Sequence, residues 1–429
     1  MIRVSGALRA ARNSTTTRNA GWLFVGELFG LASQIVMFIL ITNTFERDVY
    51  GVFIAVVSLA LFVGPFSSFG AGYLVVQRVV GRGEALIPAI LRSWTTVIIG
   101  AVLVGGALVA LRGIVLPQTT TTLLIEVMCA ELLFNQLVQA NRFISQAIGK
   151  LWLAPMMTAT SGFVRVIGAI WYLRVRPNPT IAGWGAFYAL SVALGAFVGM
   201  AIIWLMVGDR IRAQFPSRRD LSDGLTFSIN VSSSMLKGDA DKWLLGRMNH
   251  LAANGVYGAG YRILGIASVP NTALAEATYA RFFSISGPRE ALALAKKLSL
   301  ASLAINSVTG FVTLIGASYI TSLLGDSYSE AAEVLRWIAF VPLLGAWQLF
   351  AGNALTGIGH HRIRLYQTMS SAVLNIALNI ALIPSMSWKG SALATIITEI
   401  WLVVLHWRTL FRLASSAPAA PVVMAEAMT

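Results

Sequence analysis

Polar side chains are scarce in this chain, and the informative ones sit inside long apolar runs. Between residues 121 and 146 stand Glu131, Asn135, Gln139, Arg142 and Gln146. At about 100° per residue all five fall within about 80° of one another on a helix. A charge at the centre of a bilayer costs at least about 2.5–3.5 kcal/mol on insertion scales, so such a strip either lines water or pairs with another helix. Glu126 falls on a different face, near the end of the run, and reads as interfacial. Between 222 and 248, Asn230, Ser234, Lys237 and Asp241 form a second stripe, with Asp239 opposite it. Lys237 and Asp241 are four apart, a spacing at which they can neutralise each other. Asp239 has no such partner in sequence and is the better proton or cation candidate.

Isolated cations carry a different chemistry. Arg165 lies about 15 residues into an apolar run, roughly 22 Å along a helix, too deep to snorkel to the near edge. It shares a face with Thr158 and Ser161. Arg262 falls in a run that also carries Tyr257, Tyr261, Ser268 and Thr272 and is interrupted by Pro270, and a later run repeats the polar pattern with Gln367, Ser371, Asn375 and Asn379. Glu27 and Gln34, seven apart, share a face of the first run, and Arg336 reads as an interface anchor. Metal and redox chemistry find no support. The only cysteine is Cys129, and His250, His360, His361 and His406 form no ligand spacing. No Gly-x-x-x-x-Gly-Lys-Ser/Thr loop is present, which argues against ATP hydrolysis.

The elements that must position these residues are membrane helices. Of 429 residues 56% are apolar and 12% charged, with a mean hydropathy of +0.73, far from the composition of a soluble domain. With about 20 residues per span, apolar runs place twelve helices at 20–43, 49–72, 89–111, 121–146, 151–173, 184–207, 222–248, 254–280, 298–322, 331–355, 363–384 and 389–410. The fold class expected is an all-α polytopic membrane protein, with about twelve transmembrane helices in two six-helix bundles around a central cavity. If residues 1–19 are cytoplasmic, 21 of the 32 Lys and Arg lie in cytoplasmic segments. The positive-inside rule then puts both termini in the cytoplasm. Topology thus accounts for the net charge of +14, and nucleic-acid binding is not needed to explain it. The Arg-rich, Ser/Thr-rich start also reads as an organellar transit peptide, although the same charges serve as the anchor of span one.

Two echoes suggest an internal repeat. Val49-Tyr50-Gly51 returns as Val256-Tyr257-Gly258, and Ile148-Gly149-Lys150 as Ile358-Gly359-His360. Six spans then stand on either side of the basic segment near 209–221. This gives an N-terminal bundle at 20–208 and a C-terminal bundle at 222–412 in the same orientation, with a disordered tail from 413 to 429. Parallel repeats flanking a cavity are a transporter architecture. Pro65, Pro155, Pro270 and Pro342 interrupt spans two, five, eight and ten, as is tolerated where protein or water satisfies the freed carbonyls.

The motifs at span boundaries resemble a known family. Glu46-Arg47-Asp48-Val49-Tyr50-Gly51-Val52-Phe53 and the glycine-rich Ser68-Phe69-Gly70-Ala71-Gly72-Tyr73-Leu74-Val75-Val76-Gln77-Arg78 look like the opening and end of span two in polysaccharide flippases. The second half agrees, with Val256-Tyr257-Gly258-Ala259-Gly260-Tyr261-Arg262-Ile263 and with Gly357-Ile358-Gly359-His360 leading to Asn375, Asn379, Pro384 and Gly390. From about 20 to 410 the chain resembles the Wzx-type lipid-linked oligosaccharide flippases, whose superfamily also holds multidrug exporters and the lipid II flippase.

The resemblance implies a V-shaped pair of bundles that alternates between inward-open and outward-open states. The substrate it implies is an undecaprenyl-pyrophosphate-linked oligosaccharide, moved from the cytoplasmic to the periplasmic leaflet of a bacterial inner membrane. No cofactor is expected, and a polysaccharide polymerase and chain-length regulator are the partners usual in the family. On this reading Arg165, Arg262 and Lys237 hold the pyrophosphate. Asn135, Gln139, Tyr257, Tyr261, Asn375 and Asn379 face the glycan and cavity. Glu131, Asp239 and Glu27 are candidates to exchange H+ or Na+. Arg262 matches the arginine that follows a Tyr-containing segment in span eight of the lipid II flippase. A multidrug exporter of the same fold is the nearest rival, and it favours an acidic, aromatic cavity. A membrane polymerase or ligase instead expects a large catalytic loop outside the membrane, and the outside loops near Arg174 to Gly183 and Leu324 to Glu330 are short.

Overall fold

The computed structural model describes residues 29–150, 152–207, 214–285 and 287–416, so Glu27, the first arginine cluster and residues 417–429 of the expected tail lie outside the described residues, whereas 413–416, expected to be disordered, continue the last helix. Among the described residues the chain is helical, without a strand. In chain order the spans are α1 (Phe29–Thr44), α2 (Arg47–Arg82), α3 (Leu86–Ala110), α4 (Thr121–Ala147), α5 (Leu153–Val175), α6 (Ile181–Val207) and α7 (Arg218–Arg247). Then follow α8 (Leu251–Ala267, continued as Val269–Tyr279), α9 (Pro288–Ser322), α10 (Asp326–Ile338, bent by 43° into Val341–Gly357), α11 (His361–Met386) and α12 (Trp388–Ser416). Eight of these helices are long and apolar enough to cross a membrane, and the bent pair of α10 makes a ninth. The remaining three fall short for visible reasons. Over its described residues α1 is shorter than a full span, α7 carries both stripe charges and basic residues, and α8 breaks at Ser268 just before Pro270.

Helices α1–α6 and α7–α12 form two bundles that meet mainly where α2 packs on α7 and α8. The sequence dictates how closely they approach. A Cβ on Gly51 would strike the carbonyl of Leu251, and one on Gly255 would strike that of Arg47. The Val-Tyr-Gly repeat therefore lies at the junction of the bundles, where Tyr50 and Tyr257 are both buried. Further along, α2 is interrupted at Phe69 and Gly70, with left-handed φ of 44° and 58°. Glycine suits such a backbone, and a Cβ on Gly70 would also lie 2.7 Å from the Phe227 ring.

Helix α4 widens into a π turn over Cys129–Asn135, a local irregularity common at functional sites. Ser67 of α2 donates to the Leu132 carbonyl in that turn at 2.8 Å. The extra residue in the turn also alters the angular spacing of the polar stripe. Glu131 is buried, whereas Gln139 and Gln146 are exposed.

Candidate functional site

A cavity of about 240 Å³ lies between the bundles. Its polar and charged lining comes from Gln34 (α1), Arg165 (α5), Tyr188 (α6), Asp239 and Lys242 (α7), and Tyr261 and Arg262 (α8), with Phe38, Tyr50, Phe53 and Trp184 among its aromatic walls. Three cations against one carboxylate make the lining an anion-attracting surface, because charges in a low-dielectric, water-poor site act far more strongly than in bulk water.

The wall formed by the first bundle is built around Glu131. Its Oε1 accepts a short hydrogen bond from the Tyr188 hydroxyl, and its Oε2 accepts from Asn135 Nδ2 at 2.8 Å. The Arg165 guanidinium lies 5.0 Å from the centre of the Tyr188 ring, a cation–π distance. Arg165 Nε is buried without a hydrogen-bond partner. Among the described residues neither Arg165 nor Arg262 has a carboxylate within ion-pair distance. A planar guanidinium with unused donors is matched to a carboxylate or phosphate.

On the opposite wall Arg262 is left unpaired among the described residues, whereas Lys242 is neutralised locally. Lys242 Nζ lies 3.2 Å from Asp239 and 3.2 Å from Asp241, donates to the Gly238 carbonyl, and sits 4.4 Å over the Tyr261 ring. Asp241 also accepts from the Tyr257 hydroxyl at 2.8 Å.

The cavity is closed toward the face where α1 ends and α2 begins, here called the distal face. Arg47 Nη1 pairs with Glu330 at 2.8 Å, and the Tyr328 hydroxyl donates to the Phe45 carbonyl at 3.1 Å. Asn254 donates to the Gly51 carbonyl and Asn43 to that of Leu323, at 2.8 and 2.9 Å. At the other end the bundles touch along one seam of α2 and α7. There Arg78 pairs with Asp220, Ser228 donates to the Pro65 carbonyl at 2.6 Å, and Tyr73 stacks on Phe227 at 4.7 Å.

The residues nominated from sequence divide into three groups. Arg165, Asp239, Tyr261 and Arg262 converge on the cavity, with Glu131 and Tyr257 directly behind it. Lys237 is turned away. It pairs with Glu399 of α12 at 2.7 Å rather than with Asp241, which is held by its neighbour Lys242. Asp239, expected to be unpartnered, is held by Lys242. Asn375 and Asn379 are buried between α11 and α12, where Asn375 donates to Thr398 at 3.3 Å and Asn379 to Asn375 at 3.0 Å. Asn135 supports Glu131, and Gln139 is exposed outside the cavity lining. Glu126, expected at the interface, packs against Gly185 of α6, and its Oε2 is buried. Sequence reasoning missed Lys242 and Tyr188. The i,i+3 spacing from Asp239 could have revealed the lysine, whereas nothing in the apolar run of α6 marks the tyrosine.

This arrangement defines a polytopic membrane protein with a transporter fold. No protein-family model matches the chain, and no curated protein matches it by sequence. Solved structures do. The chain superposes with a TM-score of 0.70 on an inward-facing multidrug resistance MATE family transporter of the MOP superfamily, at 15% identity over 90% of this chain and 96% of that one. The lipid II flippase MurJ in an inward closed conformation matches at 0.67, with 14% identity over 93% and 90%. A MOP superfamily transporter from Pyrococcus furiosus, described as having a binding pocket of reverse polarity, matches at 0.60 and 15% identity over 92% and 96%. The chain thus has the fold of MOP superfamily transporters, and the matched structures named here are transporters or a flippase.

Proposed function

We propose that this protein is a flippase of the Wzx type, which carries an undecaprenyl-pyrophosphate-linked oligosaccharide from the cytoplasmic to the periplasmic leaflet of a bacterial inner membrane. The observation that carries this reading is the pair of arginines, Arg165 and Arg262, which line the cavity without a carboxylate partner among the described residues. A diphosphate needs such cations, since an unpaired anion cannot be desolvated cheaply and charge-assisted hydrogen bonds are the strong ones. Lys237 faces Glu399, so the third cation at the site is Lys242. Tyr261 and Gln34 supply hydrogen-bonding groups for the first sugar. Glu131 and Asp239 are the carboxylates that a coupling H+ or Na+ would meet first.

At about 240 Å³ the cavity falls below the roughly 300–1,000 Å³ usual for drug-sized ligands. An oligosaccharide therefore enters only when the bundles part. With the basic loops facing the cytoplasm, the closed distal face is the periplasmic one, and the cycle alternates between opening at the two ends. For the Pyrococcus furiosus protein, reversed pocket polarity suggests a different function; in this chain the cationic lining argues against a drug exporter, for which an acidic, aromatic cavity is expected. A multidrug reading keeps one argument, the aromatic walls beside Asp239.

The deciding experiment is the amount and sidedness of lipid-linked oligosaccharide in cells depleted of this protein. Accumulation in the inner leaflet, relieved by the intact gene but not by Arg165→Ala or Arg262→Ala, is the expected result. Normal glycan export with altered sensitivity to cationic drugs moves the assignment to multidrug efflux.

A further inference from the structure

Toward the basic face, far from the cavity, two arginines of the first bundle close on one carboxylate of the second. Arg78 of α2 pairs with Asp220 Oδ1, and Arg92 Nη1 of α3 lies 3.6 Å from Asp220 Oδ2. Asp220 is fixed to the start of α7 by a capping box, in which the backbone N–H and hydroxyl of Ser217 donate to Oδ2 at 2.7 and 2.8 Å. Arg78 and Asp220 are buried, whereas the Arg92 side chain is 26% exposed. Two polar groups beside the pair are unused. Arg78 Nε and Ser93 Oγ are buried without a hydrogen-bond partner, next to a void of about 20 Å³ lined by Arg78, Arg92, Ser93 and Asp220. A void of that size holds a single water. It admits no larger ligand while Asp220 is in place.

The charges around this cluster are divided unevenly between the bundles. The nearest others are Arg82 and Glu84, both exposed near the end of α2, and Asp223, which shares α7 with Asp220. The first bundle thus supplies Arg78, Arg82 and Arg92 against Glu84 alone, and the second supplies Asp220 and Asp223. Loading from the basic face, as proposed above, parts the seam of α2 and α7 and carries both aspartates away together. Arg78 and Arg92 are then deprived of their buried counter-ion, a costly state that another anion relieves. A guanidinium fork fits carboxylate and phosphate oxygens alike. Depth points to phosphate. Arg78 stands one turn, roughly 6 Å, before the end of α2 at Arg82, and roughly 25 Å along the helix from Leu61 of the cavity lining. The headgroup layer of a bilayer is roughly 5–8 Å thick, so Arg78 lies at the level of lipid phosphates.

We propose that Arg78, Arg92 and Ser93 form a second phosphate site, which Asp220 fills while the seam is shut and a lipid-borne phosphate fills when the seam parts. This rests on the transport reading above. The ligand is either the diphosphate of the substrate, before it reaches Arg165 and Arg262, or the headgroup of an anionic phospholipid. Asp220 acts as a tethered competitor for the same two guanidinium groups. Linkage is reciprocal, so a phosphate at this site holds the seam apart to the degree that parting raises its affinity.

The test uses the purified full chain in phosphatidylcholine nanodiscs, with Cys129→Ser and spin-labelled cysteines at Gly81 and Leu221, two exposed positions flanking the seam. Farnesyl diphosphate or phosphatidylglycerol is added. Label distances follow the seam, and native mass spectrometry counts bound anions. Asp220→Asn is expected to bind one anion more than the wild type, at least about tenfold more tightly, the scale of a charge-assisted hydrogen bond. Its labels are expected to move further apart when the anion is added. The triple variant Asp220→Asn/Arg78→Met/Arg92→Met removes the charges together, strands none of them, and loses both responses. Farnesyl diphosphate that displaces phosphatidylglycerol from the site assigns it to the substrate, and binding of phosphatidylglycerol alone assigns it to the headgroup. An extra anion that Asp220→Asn fails to bind, or that the triple variant retains, overturns the proposal. So do label distances that the anion leaves unchanged, the result expected if Asp220 only anchors α7. The cavity is tested separately, since Arg165→Met/Arg262→Met removes the central diphosphate and leaves the extra anion of Asp220→Asn in place. If the cavity binds no diphosphate while Asp220→Asn still gains an anion, the anionic-substrate reading falls and the second site stands.

Discussion

Both walls of the cavity combine carboxylate, tyrosine and cationic side chains, yet Arg165 and Lys242 are used differently. In the first bundle the carboxylate is absorbed by neutral donors, since Glu131 is held by Tyr188 and Asn135, and Arg165 is left over the tyrosine ring without an anion among the described residues. In the second bundle the cation is absorbed, since Lys242 is shared by Asp239 and Asp241 while also lying over Tyr261. Using the tyrosine hydroxyl to satisfy the acid is what keeps the arginine available. The first wall therefore offers its only lining cation to a ligand, whereas the second offers Arg262 and uses Lys242 to hold itself together.

Removing Lys242 and Arg165 in turn separates these roles, and the largest effect belongs to the lysine. Lys242→Met strands Asp239 and the almost fully buried Asp241. Breaking a buried pair from one side costs about 3–5 kcal/mol, so denaturant or thermal unfolding of the purified protein should show a severe loss of stability. Arg165→Met strands no carboxylate among the described residues. Its stability should fall by no more than about 1 kcal/mol, the scale of the lost cation–π contact. Diphosphate binding should weaken about 10- to 100-fold, the equivalent of a charge-assisted hydrogen bond. Equal destabilisation by the two variants would remove the distinction between the walls.

Much of this site was legible in the sequence, and the parts that were not share a cause. Arg165 and Arg262 stood out because an isolated cation in an apolar run has to be explained by its surroundings, and both line the cavity. Lys237 and Asp241 looked like a pair because i,i+4 spacing governs a helix on its own, whereas α7 is packed on both sides and each residue found a partner on another helix or at a neighbouring position. The stripe on α4 was drawn with a constant angle per residue, and the π turn at Cys129–Asn135 breaks that constancy immediately after Glu131. Tyr188 could not be read, since an aromatic in an apolar run carries no sign of the acid it meets across 57 positions of sequence. The architecture needed none of these details. Apolar run lengths anticipate the helices and the two Val-Tyr-Gly segments signal a repeat, whereas their meeting at the close junction of α2 with α8 shows only in the structure.

The tyrosines sharpen the same comparison at lower cost. Tyr188→Phe leaves Glu131 with Asn135 alone, so one buried lone-pair direction goes unmet and stability should drop by about 1–3 kcal/mol. Tyr257→Phe removes a hydrogen bond of 2.8 Å from Asp241, but the acid keeps Lys242. Its loss should therefore be nearer about 1 kcal/mol. Chemical unfolding of both variants side by side ranks them, and the reverse order would mean that Asp241 depends on its tyrosine more than on its lysine.

The smallest effect is expected at the distal face, where a paired charge is exposed rather than buried. The Arg47 and Glu330 side chains are each 41% exposed, and such surface pairs are worth roughly 0.2–1 kcal/mol. Removing the arginine leaves Glu330 bonded to Trp388 Nε1 at 3.0 Å and leaves Tyr328, Asn254 and Asn43 bridging the bundles. Arg47→Ala should accordingly raise the open population at this face by no more than about fivefold. A cysteine introduced at Gln34 in the cavity, with Cys129 replaced by serine, reports this as the rate of labelling by an impermeant thiol reagent added from the distal side. A much larger increase would mean that this one pair governs closure and that the backbone hydrogen bonds around it merely follow. A change within the expected range places the closing force in the contact of Gly51 and Gly255 with the facing backbone, where no side chain could be inserted without forcing the bundles apart.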